Sequence, residues 1–198
     1  MGMEFELKYR ATPHLQARIV GIAENWQTIA METTYYDTPD QALSKKWYTL
    51  RHRLENGISI CTVKTPAGGF GRGEWEVPGE SVEEAIPELC KLGAPEDLQA
   101  LTAQGVIPIC GARFTRKAAL VTRGETVLEL ALDEGVVFSG GRTLPLCEVE
   151  VELKAGNQAE ALAYGTQLAH TFGLEPEKRS KFRRALALYE EENHGTAE

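Results

Sequence analysis

The stretch MEFELKYR, residues 3–10, alternates charge with apolar bulk at successive positions. Glu4, Glu6 and Lys8 take one set of positions, and Phe5, Leu7 and Tyr9 take the other. Side chains two residues apart on a β-strand point to the same side of the sheet. Read as a strand, the stretch puts two carboxylates and an ammonium on one face and an apolar row on the other. Which of the two faces lies inside decides the fold. The alternation recurs along the chain. Arg51 and Arg53 stand between Leu50, His52 and Leu54, and Glu74 and Glu76 alternate with Trp75 and Val77. Glu148, Glu150 and Glu152 alternate with Cys147, Val149, Val151 and Leu153.

One reading makes these rows the solvated outer surface of a sandwich. Three features favour the opposite reading. The rows pair like charges, which at a spacing of ~6.7 Å repel by roughly 0.6 kcal/mol in water and about 2.5 kcal/mol at an effective dielectric near 20. Acids and bases are segregated by strand, whereas a surface strand is more stable when Lys and Glu alternate. The opposite rows are aromatic and branched aliphatic, and need cover. Closing the sheet into a barrel satisfies all three. The apolar rows pack outward under helices and the charged rows line the interior. Facing carboxylates then call for divalent cations, and facing arginines call for a polyanion.

The remaining sequence is consistent with one α+β domain. The chain has 198 residues, 42% hydrophobic and 25% charged, with a formal net charge of −8. The negative charge argues against broad nucleic-acid binding. No apolar run is long enough to span a membrane, and the charged start has no signal-peptide core. Cys61, Cys90, Cys110 and Cys147 form no CxxC pair and read as reduced thiols of a cytoplasmic protein. Residues 11–26 read as a helix, with Thr12 as cap, Pro13 in the first turn and a stripe of Leu15, Ile19 and Ile22. TTYYDTP reads as a short strand, and Glu55-Asn56-Gly57 as a hairpin turn. AGGFGRG lacks the lysine and hydroxyl of a phosphate loop and reads as a hairpin turn. Ser81 and Glu84 form a capping box, and PEDLQALTA reads as a second helix. Three long strands follow, with turns at Gly124 and at Gly140-Gly141, then two helices. Irregular interspersion of helices among hairpins indicates a large antiparallel sheet or barrel. A single domain over residues 1–190 and a frayed tail over 191–198 are expected.

In their order, EFELK, YYDTP, LRHRLENG, TVKTP, RGEWEV, FTRKAAL, LELALDEG, CEVEVELK and RSKFRRAL resemble the CYTH domain, the triphosphate tunnel metalloenzymes. The resemblance spans nearly the whole chain and is strongest to the bacterial inorganic triphosphatase branch. Some members of that branch add a helical domain after the tunnel domain. The resemblance implies a closed eight-stranded antiparallel barrel with a charged interior and helices packed outside. It implies metal ligands at Glu4, Glu6, Asp133, Glu148 and Glu150, and a phosphate clamp at Lys8, Arg51, Arg53, Lys64, Arg116 and Lys181. Glu74, Glu76, Arg113, Glu129 and Glu152 become wall residues. Arg113 competes with Arg116, and Glu152 with its neighbours. Asp133, before Glu134-Gly135, also suits a plain turn. Lys178, Arg179, Arg183 and Arg184 around Lys181 suit a solvated helix face.

The resulting expectation is metal-assisted hydrolysis of a triphosphate with Mg²⁺ or Mn²⁺, whose oxygen preference suits Glu and Asp. The expected partner is a small-molecule triphosphate, with no nucleic acid and no membrane. No residue stands out as the catalytic base. An adenylate cyclase or a thiamine triphosphatase of the same family is an alternative enzyme. A non-catalytic polyphosphate- or nucleotide-binding module is an alternative of another class, but it has no need of the carboxylates. Nothing in the sequence sets the oligomeric state, with a homodimer one candidate.

Overall fold

The computed structural model describes residues 2–3, 5–66 and 72–194. Met1, Glu4, residues 67–71, where the glycine-rich hairpin turn is expected, and residues 195–198 lie outside the described residues. The elements in order are β1 (Gly2–Met3), β2 (Glu6–Arg10), α1 (Pro13–Ile19), β3 (Gln27–Asp37), α2 (Ala42–Lys45), β4 (Thr49–Glu55), β5 (Ile58–Pro66) and β6 (Arg72–Pro78). Then follow α3 (Val82–Lys91), α4 (Asp97–Leu101), β7 (Ile107–Arg123), β8 (Thr126–Ser139), β9 (Arg142–Ala155), α5 (Gln158–Phe172), β10 (Glu175–Pro176) and α6 (Lys181–His194).

All strands join one sheet in the order β1-β6-β5-β4-β3-β7-β8-β9-β2-β10, and every pairing is antiparallel. The strands β2 to β9 are each five residues or longer, while β1 and β10 have two residues each. The two margins lie close together because the N-terminal chain serves both. Met3 is paired with Gly73 of β6, whereas the carbonyl of Phe5 accepts from the N–H of Leu153 in β9 at 2.9 Å. Two residues of chain reach at most about 7 Å, so the sheet must curl strongly. The ladder nevertheless does not return on itself among the described residues, so the hydrogen-bonded closure of a barrel is not seen.

Helices cover the outer face as the alternation requires. Tyr9, Leu130, Val149 and Val151 pack with Ile19 of α1 and with Ala161 and Leu168 of α5. Leu50, Cys61, Val63 and Trp75 pack with Val82 and Leu89 of α3 and Leu98 of α4. The expectation that the helices lie outside fails for α6. Met31, Tyr35, Ala112, Phe114, Val137 and Leu146 form an apolar floor at one end of the charged face, and Phe182, Ala185 and Leu186 of α6 cover it. The Phe182 and Tyr35 rings lie 5.0 Å apart.

Local signals held in most places. Asn56 and Gly57 take φ of +50° and +83°, the left-handed pair that a tight hairpin requires. The Ser81 hydroxyl accepts from the Glu84 N–H at 3.4 Å. The first helix is shorter than its apolar stripe suggests. It ends at Ile19, continues as a 3₁₀ turn over Val20–Ile22, and leaves Ile22 exposed. The Trp26 indole N–H donates to the carbonyls of Val20 and Ala23 and fixes this end. The strand expected around Tyr35 is longer, because Gln27 to Ala30 pair with β7. Asp133 and Gly135 lie within β8 and form no turn. All four cysteines are free thiols, as expected. The last helix runs to His194, into the stretch expected to fray.

Candidate active site

Residues opposite one another in an antiparallel ladder present their side chains to the same face. Along one margin of the sheet, Glu6 is opposite Glu152, Lys8 is opposite Glu150, and Glu152 is opposite Glu129. Glu148 is opposite Asp133, which is opposite Arg116. Beyond β3, Tyr35 is opposite Arg51, Thr33 is opposite Arg53, Lys64 is opposite Glu74, and Thr62 is opposite Glu76. The register therefore gathers on one face every charged strand residue singled out from sequence, with two exceptions, and Lys181 reaches that face from α6. Glu4 lies outside the described residues. Arg113 points the other way: its side chain is 64% exposed and pairs with Glu32 at 2.9 Å. Glu76 is on the charged face but exposed.

The densest part of the face is a buried cluster on β7, β8, β9 and α6. Arg116 grips Asp133 with two hydrogen bonds, at 2.8 and 2.7 Å, and also donates to Glu150. The Lys181 ammonium lies 2.8 Å from Asp133, 2.8 Å from Glu148 and 2.5 Å from Glu150. Arg184 donates to Glu148 and, at 2.8 Å, to the Pro145 carbonyl. Lys8 stands at the edge of the cluster, 3.3 Å from Glu6 and 4.0 Å from Glu150. Three carboxylates thus meet three cations, and Lys8 links the cluster to Glu6.

Burial alone pushes the Glu150 carboxyl up, but Lys181, Arg116 and Lys8 outweigh it and hold it well below the usual carboxylate range. Burial pulls Lys181 down, and Glu150, Asp133 and Glu148 together raise it well above the ordinary lysine value. Arg116 is raised in the same way by Glu150 and Asp133. Lys8 is raised by Glu6 and Glu150 against its own burial. Each group stays charged because its neighbours are charged.

Asp133, Glu148 and Glu150 offer carboxylate oxygens that all lie within 4.8 Å of one another, a donor set suited to a hard divalent ion. Glu148 Oε2 is buried and accepts no hydrogen bond of good geometry. Arg116, Lys181 and Arg184 already pair with this trio, so an ion held there would take over some of those contacts. Glu6, Glu152 and Glu129 are opposed in register on the same face, with side chains 25%, 24% and 22% exposed. Their oxygen chemistry fits a divalent ion equally well; Lys8 pairs with Glu6, Lys154 reaches both Glu152 and Glu129, and Arg116 reaches Glu129.

The other side of the face is basic. Arg51 and Lys64 reach Glu74 at 3.3 and 3.2 Å, and Arg53 donates to Glu55 at 2.8 Å. Arg53 Nε and the hydroxyls of Thr49 and Thr62 are buried there without a hydrogen-bond partner among the described residues. Buried donors of this kind carry a desolvation cost until an acceptor arrives.

Sequence reasoning missed Arg184, which it grouped with solvated helix residues. Its spacing of three from Lys181 puts the two cations on one helix face, a signal that was available. Gln16 was also missed: it is a polar residue inside the apolar face of α1.

The strongly curled antiparallel sheet carries acidic and basic side chains together on one face. The chain belongs to the CYTH domain family, whose model matches residues 2–186. It is 30% identical over 166 residues to an inorganic triphosphatase of Haemophilus influenzae, covering 79% of this chain and 47% of that protein. The chain thus spans about half the length of this curated relative. The PH1819 protein of Pyrococcus horikoshii shares the fold at a TM-score of 0.65 and 24% identity, covering 94% of this chain and 99% of that one. HpAC1 of Hippeastrum, a candidate adenylyl cyclase with a dominant triphosphatase activity, shares it at a TM-score of 0.59 and 16% identity, covering 97% of this chain and 96% of that one. No helix among the described residues is long and apolar enough to cross a membrane.

Proposed function

We propose that the chain hydrolyses a linear triphosphate on its charged face with a divalent ion, Mg²⁺ or Mn²⁺, and that inorganic triphosphate is cleaved to pyrophosphate and phosphate. The observation that carries this reading is the row of buried donors on β4 and β5 that lacks acceptors, on the same face as the ion-paired carboxylates. A triphosphate supplies acceptor oxygens along a line. Arg51, Arg53 and Lys64 grip those oxygens from one side, and Lys8, Arg116 and Lys181 from the other. Charge-assisted bonds of this kind hold the transferred phosphoryl group and stabilise the charge that builds on it. Glu6 and Glu152, with Glu4, hold the ion, and Glu129 supports them. The ion, when bound, neutralises phosphate charge and makes water a better nucleophile. Water oxygen bonds to the terminal phosphorus as the bridging P–O bond breaks, and its proton passes to solvent or to a carboxylate of this face. Asp133, Glu148 and Glu150 act through Lys181 and Arg116, which they hold in place. Glu74 orients Arg51 and Lys64, and Glu76 completes that wall. The curled sheet surrounds the substrate as an eight-stranded tunnel.

The 30% identity to an inorganic triphosphatase supports this reading over cyclase chemistry. The test is a panel of inorganic triphosphate, thiamine triphosphate, ATP and longer polyphosphate, each with Mg²⁺ and with Mn²⁺. Fastest phosphate release from inorganic triphosphate is expected. Preferential formation of cyclic nucleotide from ATP would replace this reading with the cyclase.

A further inference from the structure

Gln16 lies on the outer side of the sheet, away from the charged face, yet it is 6% exposed. Its side-chain amide donates to the carbonyl of Asp133 at 2.9 Å and to that of Glu148 at 2.8 Å. Asp133 and Glu148 are directly opposite one another on β8 and β9, and neither is exposed. One amide group therefore staples together the backbones of two residues whose carboxylates hold Lys181, Arg116 and Arg184. The rest of α1 that faces the sheet is apolar, with Ile19 fully buried. A buried amide is costly unless its donors are satisfied, and here both go to the same pair of strands.

We infer that Gln16 is a positioning residue for triphosphate turnover. It fixes the spacing of β8 and β9 where Asp133 and Glu148 present their carboxylates, and through these it sets the positions of Lys181 and Arg116. The inference rests on the triphosphatase reading above. Groups that orient the residues contacting a ligand typically matter by 10–100-fold when removed, and shifts of the order of an ångström at a reacting centre cost comparable factors.

The test compares Gln16→Met, which keeps the length but removes the amide, with Ile19→Val, which loosens the same helix without touching the two carbonyls. For Gln16→Met, kcat/KM for inorganic triphosphate should fall on the order of tenfold per folded molecule. The thermal shift induced by triphosphate should shrink, and the Mn²⁺ concentration for half-activation should stay at the wild-type value. Ile19→Val should melt lower and keep wild-type kcat/KM. Should Gln16→Met fail to fold, Gln16→Asn carries the same expectation, because its amide is one methylene too short to span both carbonyls. Wild-type kcat/KM and thermal shift in the Gln16 variant would overturn this inference alone. A wild-type protein that neither binds nor cleaves triphosphate would overturn the functional reading, and this inference with it.

Discussion

On β8, β9 and α6 the carboxylates of Asp133, Glu148 and Glu150 are matched by Arg116, Lys181 and Arg184 at ion-pair distance. On β4 and β5, Arg51 and Lys64 both turn to Glu74, and buried donors of Arg53, Thr49 and Thr62 meet no acceptor. Both regions lie on one face of one sheet, and both are buried or nearly so. The acidic side is internally neutralised and so already organised without a ligand. On the basic side the buried donors of Arg53, Thr49 and Thr62 find no acceptor among the described residues, and they gain when an anion arrives. The contrast separates a side whose disruption costs stability first from a side whose disruption costs substrate binding first.

Breaking the acidic side should cost stability first. Lys181→Met leaves Asp133, Glu148 and Glu150 with one cation fewer in a buried setting. Removing one partner of such a set typically costs about 3–5 kcal/mol, readable as a lower urea midpoint at an unchanged slope. Wild-type stability in this variant would mean that the cluster is wetter and looser than described.

Breaking the basic side should cost function first. Arg53→Ala removes charge-assisted contacts worth roughly 1.5–3 kcal/mol each, so kcat/KM for triphosphate should fall on the order of ten- to a hundredfold. Its melting temperature should change little, because its ion pair is to the partly exposed Glu55 and its Nε finds no partner among the described residues. A large loss of stability with intact kinetics would reverse the two roles.

Packing behind the cluster gives a third, smaller effect. A Cβ on Gly135 would lie 2.2 Å from the Arg113 carbonyl and 2.6 Å from Phe114 Cα, both backbone atoms that cannot swing aside. Gly135→Ala should therefore destabilise by about 1–3 kcal/mol, the usual cost of overpacking, as measured by thermal melting. Arg113→Ala, on the exposed side, should stay within ~0.5 kcal/mol of wild type and keep wild-type kinetics.

The acidic side also predicts a pH profile. The folded-state pKa of Glu150 is depressed, so its contribution is present above the unfolded value of about 4.3 and is lost as pH falls through the lower folded value. The folded-state pKa of Lys181 is raised, so its contribution is present below about 10.4 and is lost as pH rises through the higher folded value. Urea midpoints should show no loss from this pair between about pH 5 and 10. Lys181→Met should weaken the depression of Glu150 and bring the acid loss to higher pH.

The charged face was legible in the sequence because a period of two survives any amount of curling. Glu6 and Lys8, Arg51 and Arg53, and Glu148 and Glu150 each share a face for that reason, and the strand register brings the three pairs to the same side. The hairpin at Asn56-Gly57 was legible because few residues accept two left-handed positions in a row. The choice between Arg113 and Arg116 was not, because it depends on β7's register against Asp133. The inward position of α6 was also hidden. Its apolar floor is dispersed over β3, β7, β8 and β9, with no more than a few residues on any strand. Gln16 could not be found from α1 alone, since its partners are backbone carbonyls more than a hundred residues away.

The central claim is that this face binds a triphosphate together with a divalent ion and cleaves it. The most direct measurement is steady-state phosphate release from inorganic triphosphate, with Mg²⁺ and with Mn²⁺, by the wild-type protein and by Glu6→Gln. The wild type should turn over with at least one ion, and Glu6→Gln should be nearly inactive while melting at or above the wild-type temperature in the absence of metal. No release by the wild type with either ion, or undiminished release by Glu6→Gln at limiting metal, would contradict the account.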